Sequence, residues 1–63
     1  MKIPKMINVS IKDPMGAEFI YPNVFTIEYK NTYLLLRGYD YDCEPYKVKI
    51  KTKNIDYIKF YED

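Results

Sequence analysis

Between Tyr46 and Lys53 the chain alternates without a fault. Tyr46, Val48, Ile50 and Thr52 fall on one side; Lys47, Lys49, Lys51 and Lys53 fall on the other. A period of two is the geometry of a strand with one buried face and one wet face. The same period recurs twice more. Ile7, Val9 and Ile11 alternate with Asn8, Ser10 and Lys12, and Phe25, Ile27 and Tyr29 alternate with Thr26, Glu28 and Lys30. No segment sustains a helical period, and β-branched and aromatic residues dominate the alternating stretches. The expected class is all-β.

Turn chemistry divides the chain between these alternations. Met1 to Lys5, with Pro4, reads as an irregular lead-in to a strand over 6–12. Asp13-Pro14-Met15-Gly16 is a turn, with Asp at the first position, Pro presetting φ at the second and Gly closing the fourth. A short strand from Ala17 to Tyr21 is broken at Tyr21-Pro22-Asn23, because proline takes a donor out of the ladder. Val24 to Lys30 follows, with a tight hairpin at Asn31-Thr32. Tyr33 to Tyr39 returns with three successive leucines, the pattern of a central strand buried on both faces. Gly38 marks a bulge or sharp bend in it. Asp40 to Pro45 is a polar loop. After Asn54 the apolar phase changes, and a helical turn at 54–57 before a last short strand would bring Ile55, Ile58 and Phe60 inward.

Sixty-three residues make one domain, with one small core and room for a single site. A chain of this size buries only about 60% of its unfolded surface. No covalent staple helps, because Cys43 has no partner cysteine and the absence of histidine removes the usual zinc sets. Five or six short strands must therefore protect their own edges. A small barrel or a half-open antiparallel sheet is the expected architecture. Over the second half of the chain, the order of bent strand, polar loop, alternating strand, helical turn and last strand resembles an SH3-like or Sm-like barrel. That resemblance implies a fold and carries no signature residue.

The same composition argues against catalysis. The hydroxyls of Ser10, Thr26, Thr32 and Thr52 have no base nearby in sequence. Cys43 stands between Asp42 and Glu44, neighbours that oppose formation of a thiolate. Asp40, Asp42 and Glu44 offer carboxylates at every second position, but the central glycine and distal glutamate of a calcium loop do not follow. The expectation is a non-enzyme without cofactor or metal. The longest apolar run, Tyr33 to Leu36, is far short of a membrane span. A lone cysteine and an N-terminus without a signal-peptide pattern place the chain in a reducing intracellular compartment, as an expectation. Lys, Ile, Tyr and Asn supply 29 of the 63 residues. Their A/T-rich codons point to a low-G+C bacterium or one of its phages.

Two stretches can bind. Eight tyrosines are the most unusual feature of the composition. Tyr29, Tyr33 and Tyr46 fall in apolar phase, whereas Tyr39, Tyr41, Tyr57 and Tyr61 do not. Tyrosine brings large contact area with few rotors and a polar tip, and interfaces are rich in it. The expected protein-binding set is Tyr39, Asp40, Tyr41, Asp42, Glu44, Tyr57 and Tyr61. Its expected partner is a host protein or complex, with defence complexes among the candidates, met by a phage or mobile-element inhibitor or adaptor. The alternative set is Lys47, Lys49, Lys51 and Lys53, which could track a nucleic-acid backbone; edge protection explains the same lysines without a ligand. A third expectation is a homo-oligomer formed through an exposed edge strand.

Overall fold

The alternations condense into five antiparallel strands of one open sheet, in a computed structural model that describes residues 2–62. The strands are β1 (Lys2–Lys12), β2 (Glu18–Tyr29), β3 (Tyr33–Tyr39), β4 (Pro45–Lys51) and β5 (Tyr57–Tyr61). A 3-10 turn at Thr52–Asn54 joins β4 to β5. Neighbours in the sheet run β4-β3-β2-β1-β5, so four strands meander and the fifth returns beside the first. β4 and β5 are the two edges. The half-open sheet is thus the architecture observed, in the expected element order. The expected lead-in at Met1 to Lys5 is strand from Lys2 on, while Met1 lies outside the described residues.

Among the described residues no second layer covers this sheet, yet Val9, Val24 and Leu36 are fully buried and Ile11, Ile27 and Leu34 nearly so. A flat single sheet leaves both faces wet, so this one is curled around its own inner face. Ile7, Tyr21, Val48, Ile50, Ile55 and Ile58 pack against that core, so every strand and the 3-10 connection contribute. Full burial of each aliphatic side chain stabilises by about 1.5–3 kcal/mol.

The curl is located at Pro22 to Phe25. β2 is one twelve-residue strand, not the two short strands expected. Register shifts against β1 at Ile7/Val9 and against β3 at Val24/Thr26 absorb the interruption as bulges. Asn23 takes a left-handed φ of 49° there. The bulge also moves the side chains. Val24 and Ile27 point into the core, and Phe25 leaves it to stack on Tyr39, ring centroids 5.3 Å apart. The expected inward set Phe25, Ile27 and Tyr29 is therefore corrected: only Ile27 is core, and Tyr29 is exposed.

Gly38 is needed for space. A Cβ there would lie 2.7 Å from both the Asn23 carbonyl oxygen and the Tyr46 hydroxyl. The Tyr46 ring crosses over this bare backbone and donates its hydroxyl to the Pro22 carbonyl. The bulge expected at Gly38 sits instead on the facing strand. Leu34 and Leu36 are core, but Leu35 faces outward and is half-buried. The helical turn starts two residues before the expected 54–57, anchored where the Thr52 amide donates to the Thr32 carbonyl at 3.0 Å. Ile55 and Ile58 turn inward as expected, whereas Phe60 stays half-exposed at the edge.

Candidate functional site

The hairpin between β3 and β4 is built by one carboxylate. Asp40 Oδ1 accepts from the amides of Asp42 and Glu44, each at 2.9 Å. The Asp40 amide donates to the Glu44 carbonyl and the Cys43 amide donates to the Asp40 carbonyl. Cys43 takes the left-handed position, φ 61°. This is a type I turn closed by a left-handed residue, a common three-residue hairpin connection. It fixes the role of Asp40. Its carboxylate is held inside the loop, so within the expected protein-binding set Asp40 is a loop-former. Tyr41, Asp42 and Glu44 are the residues it presents to solvent. Tyr41 is 81% exposed.

Below the tip, the outer face carries Tyr39 stacked on Phe25. A shallow groove of about 310 Å³ lies beside them, lined by Phe25, Arg37, Pro45, Tyr46 and Lys47. On the inner side, burial is the main cause that pushes the Tyr46 hydroxyl up to about 12, with Tyr21, Tyr41 and Asp40 nearby adding to it. Tyr46 is therefore a neutral donor at ordinary pH and part of the framework beneath the loop.

Tyr57 and Tyr61 are not brought to this loop. They lie on the outer face of β5, at the far edge of the strand order. Lys12 stands over the Tyr57 ring at 5.8 Å and Lys59 over the Tyr61 ring at 6.0 Å. The expected tyrosine set thus divides into a β3–β4 group and a β5 group. Tyr33 also changes place: it is on the outer face of β3, beneath Lys49 Nζ at 4.2 Å. Tyr21, half-buried against the core, is the tyrosine that packs inward beside Tyr46. The bulge in β2 shifts the phase that sequence counting relies on.

Lys47, Lys49 and Lys51 project from the outer face of β4, and Lys53 continues them on the 3-10 turn; all four are exposed. Arg37 was absent from the expected lysine set. It sits on the same face, directly across from Lys47 in the β3–β4 register, and is exposed. The signal was available: Arg37 falls on the odd, outward phase of Tyr33 to Tyr39.

Among the described residues, no group of three or more His, Cys, Asp or Glu side chains is placed to hold a metal ion. None of their helices is long and apolar enough to cross a membrane. Comparison with protein-family models, curated proteins and solved structures finds no match to this chain.

Proposed function

We propose that this chain is a small non-catalytic protein-binding module whose contact surface is the outer side of the 40–44 tip with the Phe25–Tyr39 pair. One observation carries the reading. A loop ordered internally by Asp40 holds Tyr41 81% exposed, immediately beside a stacked aromatic pair and a shallow groove. A rigid exposed aromatic loses little freedom on docking, which is why such residues anchor interfaces. Asp42 and Glu44 rim the tip and supply charge selectivity. Tyr57 and Tyr61 fall outside this surface. A composition rich in Lys, Ile, Tyr and Asn, whose codons are A/T-rich, supports placing the chain in a phage or mobile element, as a stoichiometric inhibitor or adaptor of a host complex, including a defence complex.

The test is an affinity capture from nuclease-treated lysate of a low-G+C bacterium, using wild type, Tyr41→Ala and Tyr57→Ala. A central aromatic anchor is worth about 2 kcal/mol or more, so Tyr41→Ala should lower retention of the partner at least roughly tenfold. Tyr57→Ala should retain it fully, and both variants should melt with wild type. Equal retention by Tyr41→Ala would remove the 40–44 tip from the interface. Loss with Tyr57→Ala alone would move the surface to β5.

A further inference from the structure

The outer face of β3 and β4 carries a second feature that the tip does not use. Arg37, Lys47, Lys49, Lys51 and Lys53 all project there, and all are exposed. Neither of the two ion pairs found among the described residues engages any of them. On the adjoining outer face of β2, Glu28 already stands 3.8 Å from Lys30. Lysines on β4 alone would be explained by edge protection. Arg37 is not: β3 is an interior strand, paired on both sides. Its cross-strand partner is Lys47, and like charges directly opposite each other destabilise a sheet. The other edge shows how little charge an edge of this sheet needs, since the outer face of β5 has Lys59 alone between Tyr57 and Tyr61. A local electrostatic cost retained beyond what the edge requires points to a ligand that removes it.

We infer that this face binds the sugar-phosphate backbone of a single-stranded nucleic acid, laid along β4, with Tyr33 as a base-stacking platform. Alternate residues of a strand stand about 7 Å apart, so the lysines form a regular cationic track. Beside its end, Tyr33 lines a groove of about 460 Å³ with Asn31, Thr32, Lys49, Lys51 and Lys53. Lys49 rests on the Tyr33 ring at 4.2 Å. An exposed contact of that kind is weak and readily exchanged. A phosphate draws the lysine off the ring and opens the ring face to a base. Asn31 and Thr32 add neutral polar groups at the groove wall. This site is centred on Tyr33 and Lys49 to Lys53 and leaves Tyr41 out; it meets the protein-binding surface proposed above at Arg37 and Lys47, which also line the groove beside Phe25 and Tyr39.

The test is fluorescence anisotropy of the full chain with a labelled oligothymidine and a labelled oligouridine. Contact with four phosphates of a single strand gives a slope of about −3 in log affinity against log salt. Raising salt from about 50 to about 200 mM should therefore weaken binding roughly fiftyfold. Lys49→Glu/Lys51→Glu should abolish binding. Lys12→Glu/Lys59→Glu changes net charge equally on the β1–β5 side and should preserve most of it. Tyr33→Ala should cost roughly tenfold through lost stacking. Tyr41→Ala should bind oligonucleotide like wild type. Absence of saturable binding at about 50 mM salt would overturn the proposal. Equal loss in the two charge-reversed variants would also overturn it, by showing a net-charge effect without a site.

Discussion

The two Asp-initiated hairpins have the same backbone and opposite surfaces. Asp13 Oδ1 accepts from the amides of Met15 and Ala17, as Asp40 Oδ1 does from Asp42 and Glu44. The Gly16 amide donates to the Asp13 carbonyl, and the Asp13 amide donates to the Ala17 carbonyl, matching Cys43 and Asp40 bond for bond. Gly16 and Cys43 hold the left-handed position, at φ 93° and 61°. The flanking pairs correspond as well. The first outward pair is Lys12 with Glu18 in one hairpin and Tyr39 with Pro45 in the other. The first inward pair is Ile11 with Phe19 in one and Gly38 with Tyr46 in the other. A backbone rule shared by both hairpins cannot account for what differs. The first closes with opposite charges outside and an isoleucine beside a phenylalanine inside. The second sets an aromatic and a proline outward and a tyrosine over bare backbone inward. That contrast is why the second hairpin, and not the first, carries the functional proposal.

The inward pair is where the comparison breaks hardest. Ile11 fits a full side chain in its hairpin, but the equivalent Gly38 has no room for a methyl group. Gly38→Ala forces Tyr46 or the Asn23 carbonyl aside and should cost about 3 kcal/mol. That corresponds to a melting temperature lower by roughly 15 °C for a domain of this size. In a Tyr46→Ala background the same change should cost less, because one of the two obstructing groups is gone. Equal cost in both backgrounds would assign the strain to the Asn23 carbonyl alone.

The aspartates come next. Asp13→Ala and Asp40→Ala each remove two hydrogen bonds to a carboxylate in an exposed loop, and each should cost about 2 kcal/mol. If the hairpins are equivalent as frameworks, the two losses in urea unfolding should agree within about 0.5 kcal/mol and add in the double variant. A much larger loss at Asp40 would mean that the second loop lacks the support Pro14 and Gly16 lend the first.

The equivalence was only half legible in the residues. Asp13-Pro14-Met15-Gly16 announces its turn because proline and glycine occupy the positions that need them. Asp40-Tyr41-Asp42-Cys43 lacks both and reads as an undivided polar loop, although its backbone is the same. The strands themselves were legible wherever alternation ran unbroken, as in β4, since burial of one face enforces the period. Phase failed at Pro22 to Phe25, where the bulges reassign Phe25 to the outer face. Such a shift depends on pairing with two neighbours, which no local pattern records. The tyrosines expected to bind divided for the same reason. Tyr39 and Tyr41 are joined by a hairpin, while the distance of Tyr57 and Tyr61 from them follows from β5 crossing to the far side of β1.

The left-handed position gives a smaller and oppositely signed pair of changes. Glycine accepts positive φ without steric cost, whereas a residue with a Cβ pays about 1 kcal/mol. Cys43→Gly should therefore raise stability by roughly 1 kcal/mol, and Gly16→Ala should lower it by a similar amount, read from denaturant midpoints at constant slope. Opposite signs would confirm that the hairpins share one rule and that the second departs from it. A loss of stability in Cys43→Gly would show instead that the cysteine side chain supports its hairpin.

The last difference is a hydroxyl. Phe19 and Tyr46 occupy equivalent inward places, so the second hairpin alone can ionise there. Burial is the largest cause raising the Tyr46 pKa to about 12 from its ordinary 10.0, with Tyr21, Tyr41 and Asp40 adding repulsion. A raised acid favours the protonated form in the folded state. Its stabilising contribution is therefore complete below pH 10 and declines as pH rises toward 12. Ionisation also removes the donor to the Pro22 carbonyl. Burial raises Tyr21 as well, so both tyrosines act with the same sign in wild type. Thermal melts from pH 8 to pH 11.5 should fall more steeply for wild type than for Tyr46→Phe, which makes the second hairpin match the first at this place. Parallel curves would mean that the alkaline loss belongs to Tyr21 and that the hydroxyl at Tyr46 does not distinguish the hairpins.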